Sequence, residues 1–303
     1  MHAKIISIAK RLKRRYLGIT YAQNRYSIFL CGGAGPAENR LRNSIRQRIS
    51  TIRSKYKYSA YYPEDYFDEL LRSHRQQNLL RLENILAKSV HAVVILLHSA
   101  GTLTELGVFS NHQELRQKLI VVMDPKHRKA RSFVTMGPVK LIEKVNKNRV
   151  IPLQMVTANA NDITMRIIES TRTIPSSVMP VRDLTNPVIA SDFYLALCYV
   201  FDPIPVDVVI GLADILEPGK KAASDVAQAA INRLVSQRLI SVVGGQIRLS
   251  TKGVETAAIL HDNRRSAKKE RVLLEELRIG ALNFMLRGRT KRRAKIWSGI
   301  GAS

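Results

Sequence analysis

The chain has 303 residues, 49 of them Lys or Arg against 24 Asp or Glu, for a formal net charge of +25 and a pI of about 10.4. A hydrophobic fraction of 45% supplies enough apolar material for one large or two medium cores, which excludes global disorder. The positive excess points to a polyanionic partner, nucleic acid before an anionic membrane surface.

No apolar run reaches the roughly 18 residues of a membrane helix. Two cysteines, Cys31 and Cys198, make neither a disulfide framework nor a zinc site of the usual kind. A cytoplasmic protein without a metal and without a membrane partner is therefore expected. The Arg-rich, acid-poor N-terminus also has the composition of an organelle transit peptide, an alternative to that placement.

In chain order, residues 1–25 read as a basic N-terminal helical segment. Ile5, Ile6, Ile8 and Leu12 alternate with Lys4, Lys10, Arg11, Lys13, Arg14 and Arg15, the pattern of a basic amphipathic helix for a partner or an anionic surface. Residues 26–173 carry five short apolar runs: Tyr26–Cys31, Lys57–Tyr61, Ala92–Leu97, Leu119–Met123 and Val150–Leu153. Ala92–Leu97 and Leu119–Met123 are continuous and β-branched, as in strands buried on both faces of a parallel sheet. Helical spacing fills Arg40–Ile52, Pro63–Lys88 as one or two helices, and Thr102 to about Leu115. Strand–helix alternation predicts a Rossmann- or flavodoxin-like α/β fold with a five-stranded parallel sheet, whose ligands bind beyond the carboxyl ends of the strands.

Residues 174–190, with Pro175, Pro180 and Pro187, read as a linker. In 191–262, helices are expected near Ser191–Phe201, Val206–Leu216 and Ser224–Arg238. A hairpin follows, Leu239–Val243 and Gln246–Leu249 joined by Gly244-Gly245, whose residues accept the positive φ of a tight turn. A last helix is capped by Ser250 or Thr251. Three helices and then a hairpin is the order of a winged-helix domain. Residues 263–303 form a basic C-terminal helix or tail. The ends, 1–26 and 263–303, supply 16 of the 25 net charges.

Two loops stand out. Cys31-Gly32-Gly33-Ala34-Gly35-Pro36 leads from the first strand into a helix, where Gly32, Gly33 and Gly35 let the backbone approach a ligand and the helix start favours an anion such as phosphate. It is neither a Walker A loop nor a dinucleotide fingerprint, and a tight strand–helix turn would look the same. Arg40, early in that helix, is placed to meet a phosphate. After the third strand comes His98-Ser99-Ala100-Gly101-Thr102-Leu103-Thr104-Glu105-Leu106-Gly107. Glu105 is expected in the first helical turn, ionised by the helix dipole as a carboxylate nucleophile requires. Equally, Thr102-x-x-Glu105 is a capping box, and local sequence does not choose between the two. Glu64 and Asp65, after the second strand, suit ribose hydroxyls or ordinary helix-start chemistry.

Residues 27–155 resemble the nucleoside deoxyribosyltransferase-like family. The resemblance rests on Phe29-Leu30-Cys31-Gly32-Gly33, on Leu82-Glu83-Asn84-Ile85 before the central strand, and on Gly101-Thr102-Leu103-Thr104-Glu105-Leu106-Gly107. It implies that Glu105 attacks the anomeric carbon of a ribosyl group and forms a covalent intermediate that water or another acceptor resolves. Asp65, Glu83, His98, Ser99, Gly101 and Thr102 join the three glycines as expected substrate contacts. Family members often carry an Asp just before the Gly-x-x-x-Glu start; here the stretch is His98-Ser99, without a carboxylate. A nucleobase gains from protonation as it leaves, whereas nicotinamide departs as a neutral molecule. The expectation is therefore an NAD-type substrate, not a bound cofactor, cut at its nicotinamide–ribose bond. His98 serves either as an acid or as a structural residue at a strand end.

In the second half, Arg233 and Arg238 on the third helix are candidate nucleic-acid contacts. So are Arg287, Arg289, Lys291, Arg292, Arg293 and Lys295, crowded into nine residues before Trp297. The whole architecture resembles the effectors of retron antiviral systems. That resemblance implies a toxic enzyme held by a reverse transcriptase with its RNA-linked single-stranded DNA, and a homo-oligomer or higher assembly. The alternatives are a nucleoside or nucleotide (deoxy)ribosyltransferase or hydrolase on free nucleotides, and a DNA-binding regulator that senses a nucleotide.

Overall fold

The computed structural model describes residues 3–22, 25–33, 35–52, 54, 57–66, 85, 88–129, 131–154, 159–260 and 274–287. They fall into two compact units: one takes the first helix with the chain from Arg182 onward, the other the stretch Tyr21–Val181.

In the Tyr21–Val181 unit, β1 (Arg25–Cys31), β2 (Lys57–Tyr61), β3 (Ala92–Leu97), β4 (Leu119–Met123) and β5 (Val150–Pro152) form a parallel sheet in the order β2-β1-β3-β4-β5. All five expected strands are present. β3 and β4 are buried along their whole length, which is why they carry apolar residues without alternation.

Ile28 and Leu30 of β1, Val94 and Leu96 of β3, and Ile120 and Val122 of β4 share one face. There Ile45 and Ile49 of the helix Pro36–Thr51, and Ile163 and Ile167 of the helix Ala160–Thr171, cover them. Each fully buried aliphatic side chain contributes roughly 1.5–3 kcal/mol. Numbered in chain order, the helices are α1 (Ala3–Ala22), α2 (Pro36–Thr51), α3 (Ala100–Asn111), α4 (Gln113–Arg116), α5 (Pro125–Lys129), α6 (Lys140–Val145) and α7 (Ala160–Thr171), with a π-helical turn at Thr135–Val139 leading into α6. The sequence reading did not single out α7.

Buried cations brace this unit, Arg149 and Lys118 among them. Arg149 donates to the carbonyls of Gln117 and Thr173, both at 2.6 Å, and to Thr173 Oγ1 at 3.0 Å. Lys118 donates to the Val90 carbonyl at 3.1 Å, and burial pulls its ammonium pKa from 10.5 down to about 8. The unfolded chain therefore holds this proton where the folded chain has released it. The resulting penalty is full below about pH 8 and relieved as pH rises toward 10.5, so this group makes stability rise with pH across that window. In urea unfolding between pH 7.5 and 10.5, the free-energy gap between Lys118→Met and the natural chain should change in that direction by about 2–3 kcal/mol. Parallel pH profiles for the two would exclude the assignment.

The other unit is built around α8 (Pro187–Phe201), which is buried on nearly every side. α9 (Val206–Leu216), α10 (Ala223–Ser236) and α11 (Thr251–Leu260) accompany it, with a helical stretch over 274–287. β7 (Ile240–Val243) and β8 (Gln246–Leu249) form the expected hairpin, with Gly244 and Gly245 at φ 56° and 73°; β6 (Ile204–Pro205) adds a third antiparallel strand. The linker reading of 187–190 is corrected. Pro187 opens α8, its fixed φ suiting the first helical turn, and Asn186 caps it by accepting from the amides of Val188 and Ile189. In the same way Pro36 opens α2, four residues before the expected start.

α1 belongs to this unit. Its apolar face is buried at Ile8, Ala9, Leu12 and Tyr16, with Tyr16 edge-on to Phe193, and Lys13 pairs with the buried Glu217 at 2.8 Å. The apolar stripe expected to wait for a partner is thus packed within the chain, while Lys4, Lys10, Arg11, Arg14 and Arg15 remain exposed. Among the described residues, no helix is long and apolar enough to cross a membrane.

Candidate active site

The sheet order reverses between β1 and β3, so the carboxyl ends of these two strands form the switch point at which ligands of such sheets bind. Gly33 and His98 meet there: a Cβ at Gly33 would lie 2.9 Å from His98 Cε1. A Cβ at Gly32 would lie 2.7 Å from Cδ of Arg42. The glycines are therefore needed for close approach by side chains of this chain. Gly35, the N-cap of α2, has the Glu38 carboxylate folded over it. A phosphate at that helix start would share the space with the chain's own Glu38 carboxylate.

The start of α3 is also corrected. Ser99 is its N-cap: Ser99 Oγ accepts from the Thr102 amide at 3.3 Å, and Thr102 Oγ1 accepts from the Ser99 amide at 3.1 Å. The capping box is thus Ser99–Thr102, not Thr102–Glu105, and the helix begins at Ala100. Glu105 lies one turn further in, outside the first turn where the dipole acts most strongly. Gly101 and Thr102 belong to that first turn, with Thr102 buried under the cap.

What surrounds Glu105 comes from β1. Because strand side chains alternate, Leu30 faces α2 and α7 and Cys31 faces the opposite side. There the Cys31 thiol donates a hydrogen bond to the Glu105 carboxylate. Burial holds the thiol well above its ordinary range. The Glu105 and Glu64 carboxylates add to the rise, and Arg42 opposes it.

Arg42, only 5% exposed, ties the neighbouring segments together. It donates to the Gly32 carbonyl at 3.0 Å, pairs with the Glu64 carboxylate and lies over the Tyr62 ring at 4.3 Å. Tyr62 in turn donates to Asn43 Oδ1 at 2.6 Å. Arg40, expected to meet a phosphate, is exposed. Two residues on a helix differ by about 200° in direction, so Arg42 turns inward where Arg40 turns out.

Partial burial lowers the pKa of His98. The nearby Glu38 carboxylate resists that shift and Arg42 adds to it. Asp65 lies in the helical turn after β2, with its amide donating to the Tyr62 carbonyl at 3.2 Å. Glu83 lies outside the described residues. Among the described residues, no cluster of three or more His, Cys, Asp or Glu could hold a metal. The rim therefore concentrates Glu38, Glu64 and Glu105 in a strongly basic protein, which suits hydroxyl-rich ligands and positive charge at a reacting carbon.

Comparison with known proteins gives the family. The family model for the STM3845 retron effector protein matches residues 38–242. The chain belongs to this retron effector family. An Escherichia coli protein named "Retron Ec86 putative ribosyltransferase/DNA-binding protein" is 30% identical over 277 residues, covering 87% of this chain and 86% of the relative. The Escherichia coli protein of the same description from retron Ec73 is 33% identical over 119 residues, 38% of this chain and 37% of the relative.

The effector's basic candidates divide sharply. Arg233 is 8% exposed on α10, whose other buried residues include Val226, Ala227, Ala230 and Ile231. This corrects its reading as a nucleic-acid contact, since a guanidinium packed inside the unit does not reach a groove. Most of α10 is spent on packing against α8 and α9. Arg238 is exposed, in the left-handed region at φ 57° that turns the chain into β7. Arg287 is exposed at the end of the stretch 274–287, while Arg289, Lys291, Arg292, Arg293 and Lys295 lie outside the described residues.

Proposed function

We propose that this effector is a retaining N-glycosidase that cuts the nicotinamide–ribose bond of NAD with Glu105 as nucleophile. The carrying observation is the setting of Glu105: beside the β1/β3 switch point, hydrogen-bonded by Cys31, in a helix capped without its help. In the first step a Glu105 oxygen bonds to C1′ of the ribose. The C1′–N bond breaks, and its electron pair leaves with the nicotinamide nitrogen, neutralising that ring. In the second step water attacks C1′ and Glu105 is released. The carboxylates of Glu38 and Glu64 stabilise positive charge at C1′ or accept ribose hydroxyls, with Asp65 and Glu83 as further candidates.

His98 supports the choice of leaving group. A histidine with a lowered pKa is mostly neutral near pH 7 and a poor acid, and nicotinamide needs no acid. The same neutral imidazole suits the proton of the attacking water. The Escherichia coli relatives carry "ribosyltransferase" in their names, so transfer to an acceptor other than water is the second reading.

The other unit, with α8, α9, α10 and the β7–β8 hairpin, is read as a winged-helix domain. Its exposed basic residues on α1, together with Arg238, Arg287 and the basic tail, hold a reverse transcriptase with its RNA-linked DNA, in a higher assembly. The test is to incubate the purified effector, alone and with its co-purifying nucleic acid, with NAD and a nucleoside mixture, and to read products by mass spectrometry. Nicotinamide with ADP-ribose is expected, and ribosylated acceptor marks the second reading. Consumption of nucleosides alone overturns the NAD assignment.

A further inference from the structure

The segment after β4, from α5 to the π-helical turn, takes no part in the reaction proposed above. Lys126, His127, Arg128 and Arg131 are all exposed there, followed by Phe133, 90% exposed, and Met136, 54% exposed. Nearby acids are few: Asp124, 3.7 Å from Lys126, and Glu143, paired with Arg128 at 2.8 Å.

The phenyl ring is held in water by a fixed backbone. Ser132 Oγ accepts from the Thr135 amide at 3.3 Å, Thr135 Oγ1 accepts from the Ser132 amide at 3.1 Å, and the Met136 amide donates to the Ser132 carbonyl at 2.9 Å. This reciprocal cap sets Phe133 at the outer start of the turn that leads into α6. The π-helical turn that follows packs against α3, the helix of Glu105. A phenylalanine so exposed among cations gains nothing in the isolated chain, since its burial value is unclaimed.

We infer that this face binds single-stranded nucleic acid, with a base stacked on Phe133 and the neighbouring cations on its phosphates. A polyanion matches the charge, and only unpaired bases offer a π-face to an exposed ring. A second copy of this chain joined symmetrically through the same face would set cations against cations. The inference adds to the nucleic-acid partner proposed above a contact in the sheet unit, and it rests on none of the glycosidase reading.

The test uses the full-length protein and a fluorescein-labelled oligo(dT) of about 20 nucleotides, which spans more than one site of this kind. Phe133→Ala should weaken binding in fluorescence anisotropy about tenfold, and Phe133→Trp should restore it. Binding of a duplex of equal length should not change. Arg131→Ala should lower the salt slope by about one. With 5-iododeoxyuridine in the oligonucleotide, ultraviolet cross-links should map to the peptide containing Phe133. Unchanged affinity in Phe133→Ala, or cross-links confined to other segments, overturns the inference. So does a fall in sedimentation coefficient in Phe133→Ala without nucleic acid, which would make this a face between copies.

Discussion

Glu105→Gln is expected to abolish turnover of NAD, by about 10³–10⁶-fold, while leaving the protein folded. The amide oxygen of Gln is too weak a nucleophile to displace nicotinamide from C1′. The fold should survive because the α3 cap is built from Ser99 and Thr102, one turn before Glu105. Gln is nearly isosteric with Glu and accepts a hydrogen bond from Cys31 as well. Nicotinamide release by the purified variant and its thermal midpoint together make the test. Full activity in Glu105→Gln removes the nucleophile assignment; lost activity with a large drop in midpoint would show a structural role instead.

Arg42→Ala is expected to damage both stability and activity. The substitution leaves a cavity under the Gly32 carbonyl and strips the hydrogen bond and the ring contact from a side chain that is almost wholly buried. A loss of about 2–4 kcal/mol follows from the cavity and the orphaned carbonyl. The ion pair itself adds little, because the Glu64 side chain is 49% exposed and water screens it. The Gly-rich loop and Glu64 should both lose their orientation, so kcat/KM should fall by about 100-fold. Arg42→Lys should recover stability in part but not activity, since one ammonium does not reproduce the guanidinium's spread of donors. Urea unfolding and steady-state rates measure the two effects, and a stable, fully active Arg42→Ala would refute this role.

Strand positions were legible because each depends on a few neighbouring residues. The β-branched runs at Ala92–Leu97 and Leu119–Met123 have no polar residue to expose, so a site buried on both faces was the one they fit. Helix starts were harder. Pro36 was expected in the loop before its helix and Pro187 in a linker, yet both stand inside first turns, where their missing amide costs nothing. The capping box shows the same limit: Ser99, Thr102 and Glu105 are spaced so that two boxes are possible, and the point where β3 ends selects Ser99–Thr102.

Of the candidate site, Glu105 was visible as a motif residue and its neighbours were not. Cys31, Arg42 and Glu64 lie on three separate segments, and no local pattern joins them to Glu105. Arg42 carries no local signal that separates it from Arg40, two residues earlier, which has the same charge and lies nearer the helix start. Arg233 was misjudged for the converse reason, since its charge suggested a surface and the packing of α10 buries it.

From sequence alone, then, came the strands, the two-part order, the basic ends and the helix after β3 that carries Glu105. The tertiary structure decided which basic residues face solvent, that the apolar face of α1 is used within the chain, and which side chains gather at the β1/β3 switch point. Periodicity and composition act between neighbours in the chain. The meeting of Cys31, Arg42, Glu64 and Glu105 depends on strand order, which is settled only when both faces of the sheet are covered and distant segments compete for the same buried space.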